Sequence, residues 1–133
     1  MPFNINTLKK ITILYVEDDD MIRFQTADIF QSIFKHAHIA KDGHDAINKF
    51  LHHHKDIDLI ISDINMPVMS GIELAEQIYA HEKDVPIIFT TAFNSDEYLE
   101  KAKDLGVAKF ITKPIKIKDL MTHIASLVDS TKE

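Results

Sequence analysis

Short apolar runs alternate with longer amphipathic stretches along the chain. "ITILYV" (11–16) is an unbroken apolar, β-branched run, the pattern of a strand buried on both faces. In "MIRFQTADIFQSIF", Ile22, Ile29, Phe30 and Ile33 recur at helical spacing and predict an amphipathic helix. "AHIAK" (37–41) predicts a second strand, and Gly43 falls at the turn into "DAINKFLHHH", whose apolar face is Ala46, Ile47, Phe50 and Leu51. "IDLIIS" (57–62) predicts a third strand ending at Asp63. After a loop carrying Pro67, Ser70 is placed to cap a helix over "GIELAEQIYAHE". "VPIIFTTA" (85–92) predicts the fourth strand, with Pro86 at its start, where a missing N–H does least harm. Asn94 or Ser95 caps "DEYLEKAKDL", and Gly106 ends that helix. "AKFIT" (108–112) and "IKDLMTHIASLV" complete the series. Five strands alternating with five helices predict a parallel sheet with helices on both faces. Phe24, Phe30, Phe34 and Phe50 are expected in the core, and Met66 and Met69 are expected to pack their loop down.

Composition narrows the class. At 133 residues, 45% hydrophobic and 27% charged, the chain is expected to form a single domain, 1–133, with one sizeable core. A net charge of -6 without a basic stripe argues against direct nucleic-acid binding. The absence of cysteine excludes disulfides, thiolate metal sites and cysteine nucleophiles. No apolar run approaches the roughly 20 residues of a membrane span. "MPFNINTLKK" lacks the apolar core of a signal peptide, so a cytoplasmic location is expected. The polar "DSTKE" is expected to fray or to lead into a further segment.

Ligands of an open parallel sheet bind outside the carboxyl ends of its strands. The first strand ends in Glu17, Asp18, Asp19 and Asp20, the third in Asp63, the fourth in Thr90 and Thr91, and the fifth in Thr112, Lys113 and Pro114. Lys41 and Asp42, after the second strand, read as turn residues. Carboxylates, hydroxyls and one ammonium thus converge at one edge of the sheet. All-oxygen donors suit a hard cation such as Mg²⁺, which would relieve repulsion within the acid run. A lysine and a threonine beside an aspartate suit a phosphoryl group, with Asp63 as a carboxylate nucleophile.

"LYVEDD", "IISDINMPVMSG", "FTTA" and "ITKP", in that order and one per strand end, resemble the receiver domain of two-component response regulators, over about residues 10 to 130. The resemblance implies a doubly wound (βα)5, flavodoxin-like fold. It makes Asp63 the phosphoacceptor and Asp18 a direct Mg²⁺ ligand, with Mn²⁺ as a substitute ion. Glu17 would act on the metal through water, and Asn65 through its backbone carbonyl. Thr91 matches the hydroxyl that binds the phosphoryl group, and Lys113, before a bond to Pro114 that is usually cis, the lysine that contacts it. Phe110 matches an aromatic switch position that turns inward on activation. Asp19 and Asp20 match no ligand position and are assigned to the start of the first helix, where acids favour the dipole. The implied partners are a sensor histidine kinase or phosphotransfer protein and a downstream effector or output domain, with homodimerisation on phosphorylation. The implied output face is the fourth helix, fifth strand and fifth helix of the repeat, roughly residues 95 to 128. Departures are Ser70 where an acid is common, Phe110 in place of tyrosine, and a bulky Phe93.

The chain is expected to catalyse only its own phosphorylation and dephosphorylation. An aspartate-nucleophile phosphohydrolase of the haloacid dehalogenase type is the enzymatic alternative, disfavoured by Asn65 where that chemistry wants a second acid. A nucleotide- or flavin-binding module is the other, and three glycines supply no phosphate-cradling loop. "HHH" (52–54) reads as a solvated helix end, and His36, His38, His44, His81 and His123 show no metal spacing.

Overall fold

The structure, a computed structural model, describes residues 5–91, 96–107 and 109–131. The strands are β1 (Thr12–Val16), β2 (His36–Ala40), β3 (Leu59–Asp63), β4 (Ile87–Thr91) and β5 (Lys109–Thr112). The helices are α1 (Ile5–Leu8), α2 (Asp20–Ile33), α3 (Gly43–His53), α4 (Gly71–His81), α5 (Asp96–Leu105) and α6 (Ile117–Thr131). All pairings are parallel, in the order β2-β1-β3-β4-β5. This is the expected (βα)5, flavodoxin-like topology.

Alternation along the strands builds a core on each face of the sheet. Leu14, Val16, Ile60, Ile87 and Phe89 face Phe50 of α3, Ile72 and Ile78 of α4, and Ala102 of α5. Ile13, Tyr15, Leu59, Ile61 and Ile88 face Phe30 of α2 and Leu120, Met121 and Ile124 of α6. The chain leaves β1 toward one sheet edge and later returns to the other side of β1 as β3. The carboxyl ends of β1 and β3 therefore flank the switch point where ligands bind.

Several expectations are corrected. Phe24 is not core: it is 82% exposed. The buried residues of α2 are Thr26 and Phe30, and Phe24 lies about 200° round the helix from Thr26. Ile22 and Ile29 in the same helix, and Leu51 in α3, are also exposed, because each helix buries only a narrow stripe. A sixth helix, α1, precedes the repeat; it is too short for periodicity to reveal, yet Leu8 is fully buried against the α6 side of the sheet. Finally, α6 continues to Thr131, into the tail expected to fray. The proposed cap at Asn94 or Ser95, and Phe93, lie outside the described residues. Among the described residues no helix is long and apolar enough to cross a membrane.

Candidate metal and phosphoryl site

The acid run divides as its local chemistry requires. Asp19 caps α2, its carboxylate accepting from the Ile22 N–H at 2.9 Å. Asp20 opens the helix and pairs with Arg23 at 2.6 Å. Glu17 and Asp18 remain in the connection. The Glu17 N–H donates to the Ala40 carbonyl at 3.1 Å, continuing the strand pairing, and its side chain is fully buried. Arg23 was not singled out from the sequence, yet its guanidinium donates to the Glu17 carbonyl at 3.0 Å and the Asp18 carbonyl at 3.4 Å. It thereby fixes the backbone of both acids. The available signal was the Asp20–Arg23 spacing, three residues apart in the first turn of a helix.

Lys113 ties the strand ends together. Its ammonium donates to Glu17 Oε1 at 2.8 Å and to Asp63 Oδ2 at 3.1 Å. The second Glu17 oxygen accepts from the Asp19 N–H at 3.2 Å, and Asp63 Oδ1 accepts from the Asn65 N–H at 3.3 Å. Burial alone would lower the lysine's pKa, but bonds to two carboxylates raise it, so it stays an ammonium. Asp63 is buried, and that burial pushes its carboxyl up to about 6, helped by Glu17 and opposed by Lys113. One oxygen each from Glu17, Asp18 and Asp63 lies within 4.8 Å of the others. Three carboxylates facing one ammonium leave an excess of negative charge in a partly desolvated place. An all-oxygen set of this charge fits a hard divalent cation.

The surrounding elements hold this arrangement. Thr91 is buried at the end of β4, and its carbonyl accepts from the Lys113 N–H at 2.8 Å. Thr90, register partner of Asp63, has a fully buried hydroxyl without a hydrogen-bond partner among the described residues. The Lys113–Pro114 peptide is cis, as the resemblance implied. Ser70 caps α4 through a reciprocal capping box with Glu73. Met66 and Met69 are buried beneath the loop, as expected, whereas Val68 between them is 86% exposed with φ +71°, a costly conformation for a β-branched residue. Phe110 is half-buried against the core cluster that holds Phe89, its ring 6.0 Å from that of Phe89.

The structure thus brings Glu17, Asp18, Asp63 and Lys113 together, with Asn65 bonded to Asp63 and Thr91 joined to Lys113 through the backbone. Comparison with known proteins gives this arrangement its context. The family profile of the response regulator receiver domain matches residues 13–125. The chain belongs to that family. This receiver chain is 32% identical over 117 residues to the chemotaxis protein CheY of Treponema pallidum, covering 87% of this chain and 81% of that one. It is 33% identical to the transcriptional regulatory protein PdtaR of Mycobacterium tuberculosis, covering 91% of this chain but only 58% of the relative. Among solved structures, the receiver chain is similar to one in the CheX–CheY–BeF₃–Mg²⁺ complex of Borrelia burgdorferi. The TM-score is 0.82 at 28% identity, with 95% of each chain covered.

Proposed function

We propose that residues 1–133 form a receiver domain that takes a phosphoryl group from a phosphohistidine of a sensor kinase or phosphotransfer protein onto Asp63. The observation that carries this reading is the Lys113 ammonium bound at once to Glu17 and Asp63, which leaves one strand-end carboxylate poised beside a fixed cation. Ionised Asp63 attacks phosphorus, the phosphorus–nitrogen bond breaks, and the leaving imidazole nitrogen keeps the electron pair. Lys113 holds an equatorial phosphoryl oxygen, releasing one of its carboxylate contacts. Thr91 donates its hydroxyl to another. Mg²⁺, held by Asp18, Asp63 and the Asn65 carbonyl with Glu17 acting through water, would supply neutralisation of the phosphoryl charge. Hydrolysis of the acyl phosphate by water returns the chain to its starting state, so the product of the chemistry is a change of state in the domain itself.

The similar Borrelia structure contains BeF₃ and Mg²⁺, which supports testing this chain with the same reagents. Wild type incubated with a small acyl phosphate and Mg²⁺ is expected to gain one phosphoryl group and to bind beryllofluoride. Asp63→Asn is expected to do neither while keeping its circular dichroism spectrum. Stoichiometric labelling of that variant would overturn the assignment.

A further inference from the structure

The histidines that read as a solvated helix end are not all solvated. His53, at the end of α3, stacks on His38 of β2 with ring centroids 4.2 Å apart and planes 18° from parallel. Both rings border a cavity of about 550 Å³ at the amino-terminal ends of β1 and β2. That is the sheet edge opposite the carboxylates. Lys10, Lys35, Lys55 and His36 line the same cavity. On a chain of net charge -6, six cationic or protonatable groups gathered in one concavity are a marked segregation of charge.

Two acids share the cavity, Asp56 and Asp58, so its three lysines leave a net charge of +1 while the histidines are neutral. The Asp58 carboxylate accepts from the Thr12 N–H at 2.9 Å, and none of the three lysines forms an ion pair among the described residues. An excess of cationic groups around a concavity attracts anions into it. The stacked rings add a second feature. Burial and the repulsion of His53, His36 and Lys49 all hold His38 toward its neutral form, with only Asp56 acting the other way. An anion between the rings and the lysines would remove that repulsion. Nearly parallel rings do not direct their in-plane lone pairs at one point, so the pair suits an anion better than a metal ion.

We propose that this cavity takes a small multivalent oxyanion of the phosphate class, held by the Lys10, Lys35 and Lys55 ammonium groups and by the stacked rings of His38 and His53. Binding and protonation of His38 are linked, so affinity rises as pH falls. The site is separate from Asp63 and requires neither its phosphorylation nor a metal.

Sodium pyrophosphate serves as the probe, added to the full chain in EDTA at ionic strength held constant with NaCl, with histidine ring resonances followed by NMR. Near pH 6, His38 and His53 are expected to shift saturably while His81 and His123 stay in place, and at about pH 8 the affinity should be at least about tenfold weaker. The double variant Lys35→Gln/Lys55→Gln should weaken binding about tenfold or more, with phosphorylation by a small acyl phosphate unchanged. Shifts reproduced by NaCl, spread over all histidines, or unaltered in the double variant would each overturn the proposal. So would co-sedimentation with vesicles containing phosphatidic acid in the absence of any saturable pyrophosphate response, which would identify a lipid headgroup instead.

Discussion

A carboxylate that attacks phosphorus must be ionised, and Asp63 occupies a place where ionisation is costly. Its pKa of about 6 is above the ordinary carboxylate range, because burial and Glu17 outweigh the Lys113 contact. A folded-state pKa that is raised contributes stability at low pH, and that contribution is lost as pH rises through the folded value. Metal-free wild type should therefore lose ground to Asp63→Asn as pH rises from about 4 to about 7, by roughly 1–3 kcal/mol. Denaturant unfolding of both proteins in EDTA across that range measures it, and a difference independent of pH would contradict the argument. Mg²⁺ should narrow the gap at neutral pH, since an ion bound by native wild type alone stabilises it.

The connection from β3 to α4 shows how an element positions a single side chain. The Gly71 N–H donates to the Ile64 carbonyl at 2.8 Å, folding the loop back on the strand end. A Cβ at Gly71 would lie 2.6 Å from the Asp63 carbonyl oxygen and 2.8 Å from the Ile64 Cα, both backbone atoms that cannot swing aside. Gly71→Ala should cost about 1–3 kcal/mol, as overpacking does. It should also slow phosphorylation, because the strain is relieved by moving Asp63. Thermal unfolding together with the labelling rate tests both effects. A variant that is destabilised but labels at the wild-type rate would show that the loop absorbs the shift without disturbing the acceptor. At Gly43, by contrast, the obstacle is the flexible Met69 side chain, which can move.

For the whole molecule, the question is how an event at one sheet edge reaches a surface. The proposed route runs from Asp63 through Thr91 and Phe110 to the face of α5, β5 and α6. Phe110 is half-buried and packs against Phe89. On this proposal, phosphorylation would bias an equilibrium between two packings rather than create a new one. Phe110→Ala should leave labelling of Asp63 close to normal while reducing the change in amide exchange that beryllofluoride produces over residues 95 to 128 by about half or more. If wild-type exchange responds only in the loops around Asp63, that output face is wrong.

The sequence by itself determined the strands, their order of appearance and the carboxyl-end chemistry. A parallel sheet buried on both faces demands unbroken apolar runs, and the residue after each run must end at the same edge. The same logic made Asp19, Asp20, Ser70 and Gly106 legible, since caps and left-handed turns are satisfied within a few residues. Only the tertiary structure decided which apolar residues are covered: Phe24 has the right chemistry for a core but the wrong angle about its helix. It also decided every long-range partnership. Lys113 meets Glu17 across 96 residues, and His38 meets His53 because β2 pairs beside β1 under the end of α3. Such contacts carry no local periodicity. They follow from how the sheet is wound, which depends on the packing of the whole chain.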